Sequence, residues 1–337
     1  GAAPTAAKAA SNSPEYSARL QSVPSRLQFL TPESAYASPE EIGKKAHPAW
    51  LVQGWRRTYG FASAQAICEY DQQAPHTVIR ADTKLLDELA SQGIQCDPGS
   101  FLRGAYIVTH GDITRTRAFG ERRLVIQDGG SQLVALLLGE GKLILDCCAA
   151  PGGKTRILAE RNPHATVVAM ELHAHRATLM ARLVPLPNVH VICADARWMP
   201  FATQFDRILV DAPCTGTGTL ARNPEIKWRL TPEDISRLQA YQIEILTAAM
   251  QKLAPGGQLL YSTCSLEPEE NEAVIDRVLR GNSAFRLLDI RDRLTQLHQQ
   301  GALVCDPDSL VRGSYLRTIP GVHPCDGFFA ALLERKM

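Results

Sequence analysis

Two cysteine segments carry residue types suited to covalent chemistry. One is Asp211-Ala212-Pro213-Cys214-Thr215-Gly216-Thr217-Gly218. The other is Ser262-Thr263-Cys264-Ser265, which runs on through Leu266-Glu267-Pro268-Glu269-Glu270-Asn271. Each sets a thiol just beyond an apolar run that reads as a buried strand. A thiolate there is a strong nucleophile and can split one difficult bond-making step into two easier ones. The bland reading of a single cysteine is a small buried hydrophobe, and it suffices for Cys68, Cys96, Cys193, Cys305 and Cys325. It weakens for Cys214 and Cys264, which both fall at strand ends beside acids. The nine cysteines are odd in number and none is spaced Cys-x-x-Cys, so neither a zinc site nor a disulfide scaffold is expected, and no metal is assigned. Scattered thiols in a chain of this length point to a reduced, cytoplasmic protein.

Four acids, Asp146, Glu171, Asp195 and Asp211, end or adjoin four apolar runs. In open α/β sheets, ligands sit outside the carboxyl ends of the strands. A lone Asp in such a place more often caps a helix; four together point to a ligand. Asp146 leads into Cys147-Cys148-Ala149-Ala150-Pro151-Gly152-Gly153-Lys154, where small residues and two glycines let a ligand approach the backbone. The helix that follows presents free N–H groups. A dinucleotide fingerprint would need Gly-x-Gly-x-x-Gly, which is absent. A P-loop shares Gly153-Lys154-Thr155 but needs Gly at position 148, which is Cys. An S-adenosyl-L-methionine loop needs no phosphate cradle and fits. Glu171 stands at the end of the second run, where an acid grips both ribose hydroxyls of a nucleoside cofactor. Asp195 is placed to accept from an adenine amino group. The expected cofactor-binding set is therefore Cys148, Ala149, Ala150, Pro151, Gly152, Gly153, Lys154, Glu171, Asp195 and Asp211.

The elements that must position these groups follow from hydrophobic period. Strands are predicted at 143–145, 166–170, 189–193, 208–210 and 258–262, with helical stretches between several of them. The runs are nearly continuous in apolar residues, as expected when both faces of a sheet are covered, so the fold class is α/β with a doubly wound, mostly parallel sheet. Ahead of it, 50–59 and 63–71 read as helices, 77–80 and 105–108 as strands, and 83–92 as a helix closed by Gly93. Residues 1–45 are rich in Ala, Ser and Pro and read as a flexible lead-in. The expected division is 1–45, then a helical and α+β module over 46–125, then the catalytic domain over 126–337. No apolar run is long enough to span a membrane. The net charge of +1 means that a nucleic-acid partner must be held by a local basic patch.

The motifs taken together resemble the Nop–Sun family of RNA cytosine-C5 methyltransferases, in particular its bacterial 16S ribosomal RNA enzymes. The resemblance runs from about His47 to the C-terminus. It is carried by His47-Pro48-x-Trp50-Leu51, Phe101-x-Arg103-Gly104, Gln127-Asp128-x-x-Ser131-Gln132, the 146–154 loop, and both cysteine segments. Asn223 to Trp228, Pro268 to Asn271 and Asp326-Gly327-Phe328-Phe329 complete it. It implies a Rossmann-like class I S-adenosyl-L-methionine methyltransferase sheet with a small RNA-binding-like N-terminal module. It implies that Cys264 is the nucleophile, that Cys214 helps release the product, that Asp211 contacts the cytosine N3/N4 edge, and that Lys154 lies near base and cofactor. The ribose acid is Glu171 where Asp is common in the family, a change that keeps the charge. The bacterial relatives carry a NusB-type helical domain for which 45 residues are too few.

RNA, expected to be 16S ribosomal RNA of the small subunit, would be held through phosphates by arginines such as Arg56, Arg57, Arg103, Arg115, Arg117, Arg122 and Arg123, with Arg222, Lys227 and Arg229 near Cys214. Solvated surface charge is the competing reading for each. A monomer is expected. The alternatives are a tRNA or DNA cytosine-C5 methyltransferase and a non-catalytic ribosome-assembly factor that keeps the fold.

Overall fold

The computed structural model describes residues 47–337; the expected lead-in over 1–45 lies outside the described residues. Two helices open the chain, α1 (Ala49–Tyr59) and α2 (Phe61–Tyr70). Next come β1 (Val78–Arg80), α3 (Thr83–Ser91), β2 (Gln95–Pro98), β3 (Ala105–His110), α4 (Arg117–Gly120) and β4 (Val125–Ile126). The strands form an antiparallel four-stranded sheet in the order β2-β3-β1-β4. Its own core is Ile79, Leu85, Leu89, Ile94, Ile113, Ala118 and Leu124. Asp82 caps α3 by accepting from the Leu85 N–H at 2.8 Å. The two opening helices pack elsewhere: Leu51, Val52, Trp55, Ala64 and Ile67 share a core with Leu220 and Leu266, next to the two cysteine segments.

The larger unit comprises α5 (Gly129–Leu137), β5 (Leu143–Asp146), α6 (Gly153–Arg161), β6 (Thr166–Glu171), α7 (Ala174–Leu183), β7 (Val189–Cys193) and β8 (Phe205–Asp211). It continues through α8 (Ile226–Arg229), α9 (Pro232–Lys252), β9 (Leu253–Thr263), α10 (Glu272–Leu279), β10 (Phe285–Leu288) and α11 (Ile290–Gln299), and ends with β11 (Val311–Arg312), β12 (Tyr315–Arg317) and β13 (Phe329–Arg335). The sheet runs β11-β12-β13-β9-β8-β5-β6-β7, with β10 also on β13. Strands β9, β8, β5, β6 and β7 are parallel, in the expected doubly wound manner. Successive residues point to opposite faces, and both faces are dry. Ile144, Val167, Leu209 and Leu260 pack under α5, α6 and α11, whereas Leu145, Val168, Ile208, Leu259 and Tyr261 pack under α9 and α10. The 21-residue α9 begins with a Thr231–Asp234 capping box and Pro232.

Hydrophobic period gives no element beyond Ser262. The structure adds an antiparallel flank there: β13 pairs with β9 from Phe329↔Thr263 to Glu334↔Gln258. Four of its first five residues, Phe329 to Leu333, are fully buried and the fifth nearly so, because both its faces are covered like those of its parallel neighbours.

Candidate active site

Register assembles the site. Asp211 of β8 pairs with Ser262 of β9, so the Ser262 hydroxyl donates to Asp211 Oδ1 at 2.8 Å. Cys214 lies three residues past the end of β8, and Cys264 is the first residue past the end of β9. Their sulfurs face each other at 3.3 Å in an open cleft. On the other side, Lys154 Nζ donates to Asp211 Oδ2 at 2.7 Å and lies 5.3 Å from the Phe328 ring centre. Lys154 is thus not a solvated helix-start lysine: its side chain is 12 % exposed. Burial works against its charge, but the Asp211 carboxylate outweighs that and raises its pKa. The Cys214 thiol is pushed well above its ordinary value by its contact with Cys264 and by burial, so it stays protonated.

One buried carboxylate ties both cysteine loops together. Glu270 Oε1 accepts from the Thr215 N–H at 2.9 Å and from Gln242 Nε2 at 2.9 Å. Its Oε2 accepts from the hydroxyls of Thr215 and Ser265. Asn271 adds a second tie, donating to the Ser265 carbonyl at 2.9 Å and accepting from Thr263 Oγ1 at 2.5 Å. Gly218 donates to the Cys264 carbonyl at 2.8 Å, and a Cβ at Gly218 would fall 2.3 Å from the Gly327 oxygen. Glycine at 218 is therefore required by close approach rather than by a turn. Sequence reasoning did not single out Glu270, Ser262 or Gln242. A signal existed for Gln242, which shares the face of α9 that buries Ile245, Leu246 and Ala249.

The cleft continues toward β6 and β7 and measures about 750 Å³, within the usual range for small-molecule sites. Cys148, Ala150, Glu171, Asp211, Cys214 and Cys264 line it. Glu171 is buried; its Oε1 accepts from the His173 N–H at 2.9 Å and pairs with Arg176 at 3.3 Å. Its Oε2 makes no hydrogen bond among the described residues. A recess of about 120 Å³, walled by Asp146, Ala149, Pro151, Gly153 and Lys154, shares Cys148, Ala150 and Asp211 with the cleft. Asp146 accepts from Thr155 Oγ1 at 2.6 Å, while its buried Oδ1 closes no hydrogen bond. Burial pushes the Asp146 carboxyl up to about 7, and it pushes the Cys148 thiol up well above its ordinary value.

Three expected contributors also make contacts that the sequence does not show. Gly152, at φ +108°, turns its missing side chain toward Val184 and Met180, and Gly153 turns its own toward Gln127. Both glycines let the loop pack on the protein's own elements. The Asp195 carboxylate is occupied by the Arg197 guanidinium at 2.7 Å, which holds its pKa down, and its neighbours Ala194, Ala196 and Arg197 line the cleft while Asp195 itself does not. Many of the candidate RNA-binding cations are also paired internally. Arg115 pairs with Asp112, Arg117 with Glu121, Arg123 with Glu88 and Glu121, and Arg229 with Glu225. Arg222 bridges Asp326 and Asp128, and Lys227 is buried.

Residues 133–334 match the 16S rRNA methyltransferase RsmB/F family, and residues 47–112 match the ferredoxin-like domain of RsmF/B-like methyltransferases. The chain belongs to the RsmB/F family of methyltransferases. It is 34% identical over 307 residues to the probable ribosomal RNA small subunit methyltransferase B of Bacillus subtilis, covering 86% of this chain and 67% of that protein. It is 34% identical over 320 residues to the Vibrio cholerae ribosomal RNA small subunit methyltransferase B, covering 90% and 68%. The chain thus spans about two thirds of the length of these relatives. A methyltransferase homologue from Pyrococcus horikoshii has the same fold, with a TM-score of 0.71 at 27% identity over 89% of this chain and 100% of that one. The cofactor of such a methyltransferase is S-adenosyl-L-methionine. The cleft fits it: an acid with an available oxygen stands at one end, a buried unpartnered carboxylate oxygen at the recess, and small residues between. Among the described residues, no helix is long and apolar enough to cross a membrane, and no cluster of metal-ligating side chains occurs.

Proposed function

We propose that this RsmB/F-family enzyme methylates carbon 5 of a cytosine in RNA, with small-subunit ribosomal RNA as the expected substrate. The observation that carries the reading is the pair of thiols at 3.3 Å, open to the same cleft as Glu171 and next to the Lys154–Asp211 pair. Relatives named as small-subunit ribosomal RNA methyltransferases support the substrate class. Cytosine C5 is too weak a nucleophile to take a methyl group unaided. The Cys264 thiolate adds to C6, which places electron density at C5. S-adenosyl-L-methionine supplies the electrophilic methyl group when bound. Loss of the C5 proton to water in the open cleft then lets the C6–sulfur bond break and returns the Cys264 thiolate, and the protonated Cys214 thiol assists this release by donating to that sulfur from 3.3 Å away.

Asp211 accepts from the cytosine N4 amino group with the lone pairs that Ser262 and Lys154 leave unused. A uracil O4 would face that carboxylate as a second acceptor, so the same group selects cytosine. Lys154 holds the carboxylate in place. Glu171 grips the ribose hydroxyls of the cofactor, Cys148 to Lys154 form its wall, and Asp195 reaches the adenine once its pair with Arg197 opens. The target base must leave its stack to enter the cleft. A division of the chain near residue 125, a monomeric state and a cytoplasmic location belong to the same proposal.

The test is transfer of labelled methyl to unmodified small-subunit ribosomal RNA, followed by nucleoside digestion. Label in 5-methylcytidine is expected. RNA binding without transfer would favour a non-catalytic assembly factor, and transfer only to tRNA or DNA would move the substrate class.

A further inference from the structure

A groove of about 590 Å³ runs along the seam between the ferredoxin-like module and α6. Six cationic side chains line it against two carboxylates, Asp82 and Glu160. Asp82 is committed to capping α3, and Glu160 accepts from both Arg156 and Arg80. Glu88 and Glu121 hold Arg123. That leaves Lys84, Arg103 and Arg161, all exposed and none in an ion pair among the described residues. The groove has no aromatic lining; its apolar members include Leu85, Leu102, Val125 and Ile157. A base-reading surface offers aromatic faces on which bases stack, whereas a groove of cations on aliphatic walls suits the phosphate backbone.

The groove is joined to the catalytic cleft in two ways. Consecutive residues of β4 part company: Val125 lines the groove and Ile126 lines the recess beside Asp146. Helix α6 does the same, with Lys154 at its start on Asp211 and Arg161 at its end in the groove. Seven residues of helix span about 10 Å, roughly three nucleotides of a stacked strand at ~3.4 Å each. The seam is fixed, not hinged: the Arg103 N–H donates to the Ala302 carbonyl at 2.9 Å, and Leu102 bridges to Leu303.

We infer that this seam is a track for the RNA phosphates about three nucleotides from the base in the cleft, with Lys84, Arg103 and Arg161 as its free contacts. The inference rests on the RNA-methylating reading above but is tested apart from it. The probe is a fluorescein-labelled oligouridylate of about 15 nucleotides, which offers no cytosine to the cleft. Its binding is followed by anisotropy across a salt series for the full chain, for Lys84→Ala/Arg103→Ala/Arg161→Ala, and for a charge-matched control, Arg277→Ala/Arg280→Ala/Arg286→Ala. Three lost contacts at about 0.7 each should flatten the log–log salt slope by roughly 2 and weaken binding on the order of tenfold or more at low salt. The control should keep the wild-type slope. An unchanged slope in the groove variant, an equal loss in the control, or loss of binding to polyglutamate instead of RNA would each overturn the track. Flattening in the groove variant alone upholds it even if no cytosine is methylated, in which case only the methylation reading falls.

Discussion

The two ends of the cleft are built on different principles. At the β8–β9 end, both reactive loops are tied by buried groups: Glu270, Asn271 and Gln242 reach across 5 to 55 residues of sequence to fix Thr215 and Ser265 on either side of the thiols. At the β6–β7 end, the carboxylates are paired with arginines 37–45 % exposed, Arg176 on Glu171 and Arg197 on Asp195. An ion pair whose arginine stands partly in solvent is screened more than one closed off on both sides, whereas an orphaned buried donor costs about 1–3 kcal/mol. On the proposed reading the chemistry sits on a fixed frame, and the end that takes the cofactor is held by ion pairs whose arginines face solvent.

Breaking the frame should have the largest effect. Glu270→Ala orphans the Thr215 N–H and one hydrogen of the Gln242 amide, whose other stays on the Pro213 carbonyl, so we expect a loss of about 3 kcal/mol in urea unfolding and no detectable turnover. Glu270→Gln sharpens the point. Its carbonyl can replace Oε1, and its NH₂ can face the Thr215 and Ser265 hydroxyls, which can turn to accept. It should recover most of the stability, and equal losses in the two variants would remove Glu270 from this role.

At the other end the fold should survive while cofactor binding suffers. Glu171→Ala removes a buried acceptor for a ribose, and a charged hydrogen bond of about 1.5–3 kcal/mol implies S-adenosyl-L-methionine affinity weaker by roughly 10- to 100-fold in calorimetry. Affinity within twofold of wild type would remove Glu171 from the cofactor site.

A pH effect follows from the recess. Burial raises the Asp146 carboxyl from 3.8 to about 7, so between those values the folded protein binds a proton that the unfolded chain has lost. Stability from this group therefore falls as pH rises through that window and is level above it. Asp146→Asn should gain on the wild type in melting temperature as pH climbs from about 4 to 7, and a constant offset across that range would contradict the assignment. The smallest effect is expected at Asp195, already paired to Arg197. Asp195→Asn should weaken cofactor binding only a few-fold, since Asp195 itself does not line the cleft, and a loss as large as that of Glu171→Ala would show that Asp195 holds the cofactor as directly as Glu171 does.

Much of this was legible in the sequence. The five parallel strands announced themselves as apolar runs, and acids and cysteines just past their ends placed Glu171, Asp211, Cys214 and Cys264 on one edge. Short antiparallel strands did not: β11 has two residues and β12 three, too few for any period to register. Glu270 was hidden because a charged residue beside two other acids reads as solvated, and only tertiary folding brings its four donors together. Gly152 has a packing role that the sequence hides for a related reason. The loop's smallness is visible in sequence, but the helix α7 that fills the space is not.

The most direct test is the sulfur that bonds to the base. Cys264→Ala and Cys214→Ala proteins, each incubated with S-adenosyl-L-methionine and a cytosine-containing substrate RNA, can be compared by denaturing gel and by mass of the cross-linked peptide. The account expects Cys214→Ala to accumulate an RNA–protein adduct through Cys264, and Cys264→Ala to give neither adduct nor 5-methylcytidine. An adduct through Cys214 in the Cys264→Ala protein, with methylation retained, would contradict it.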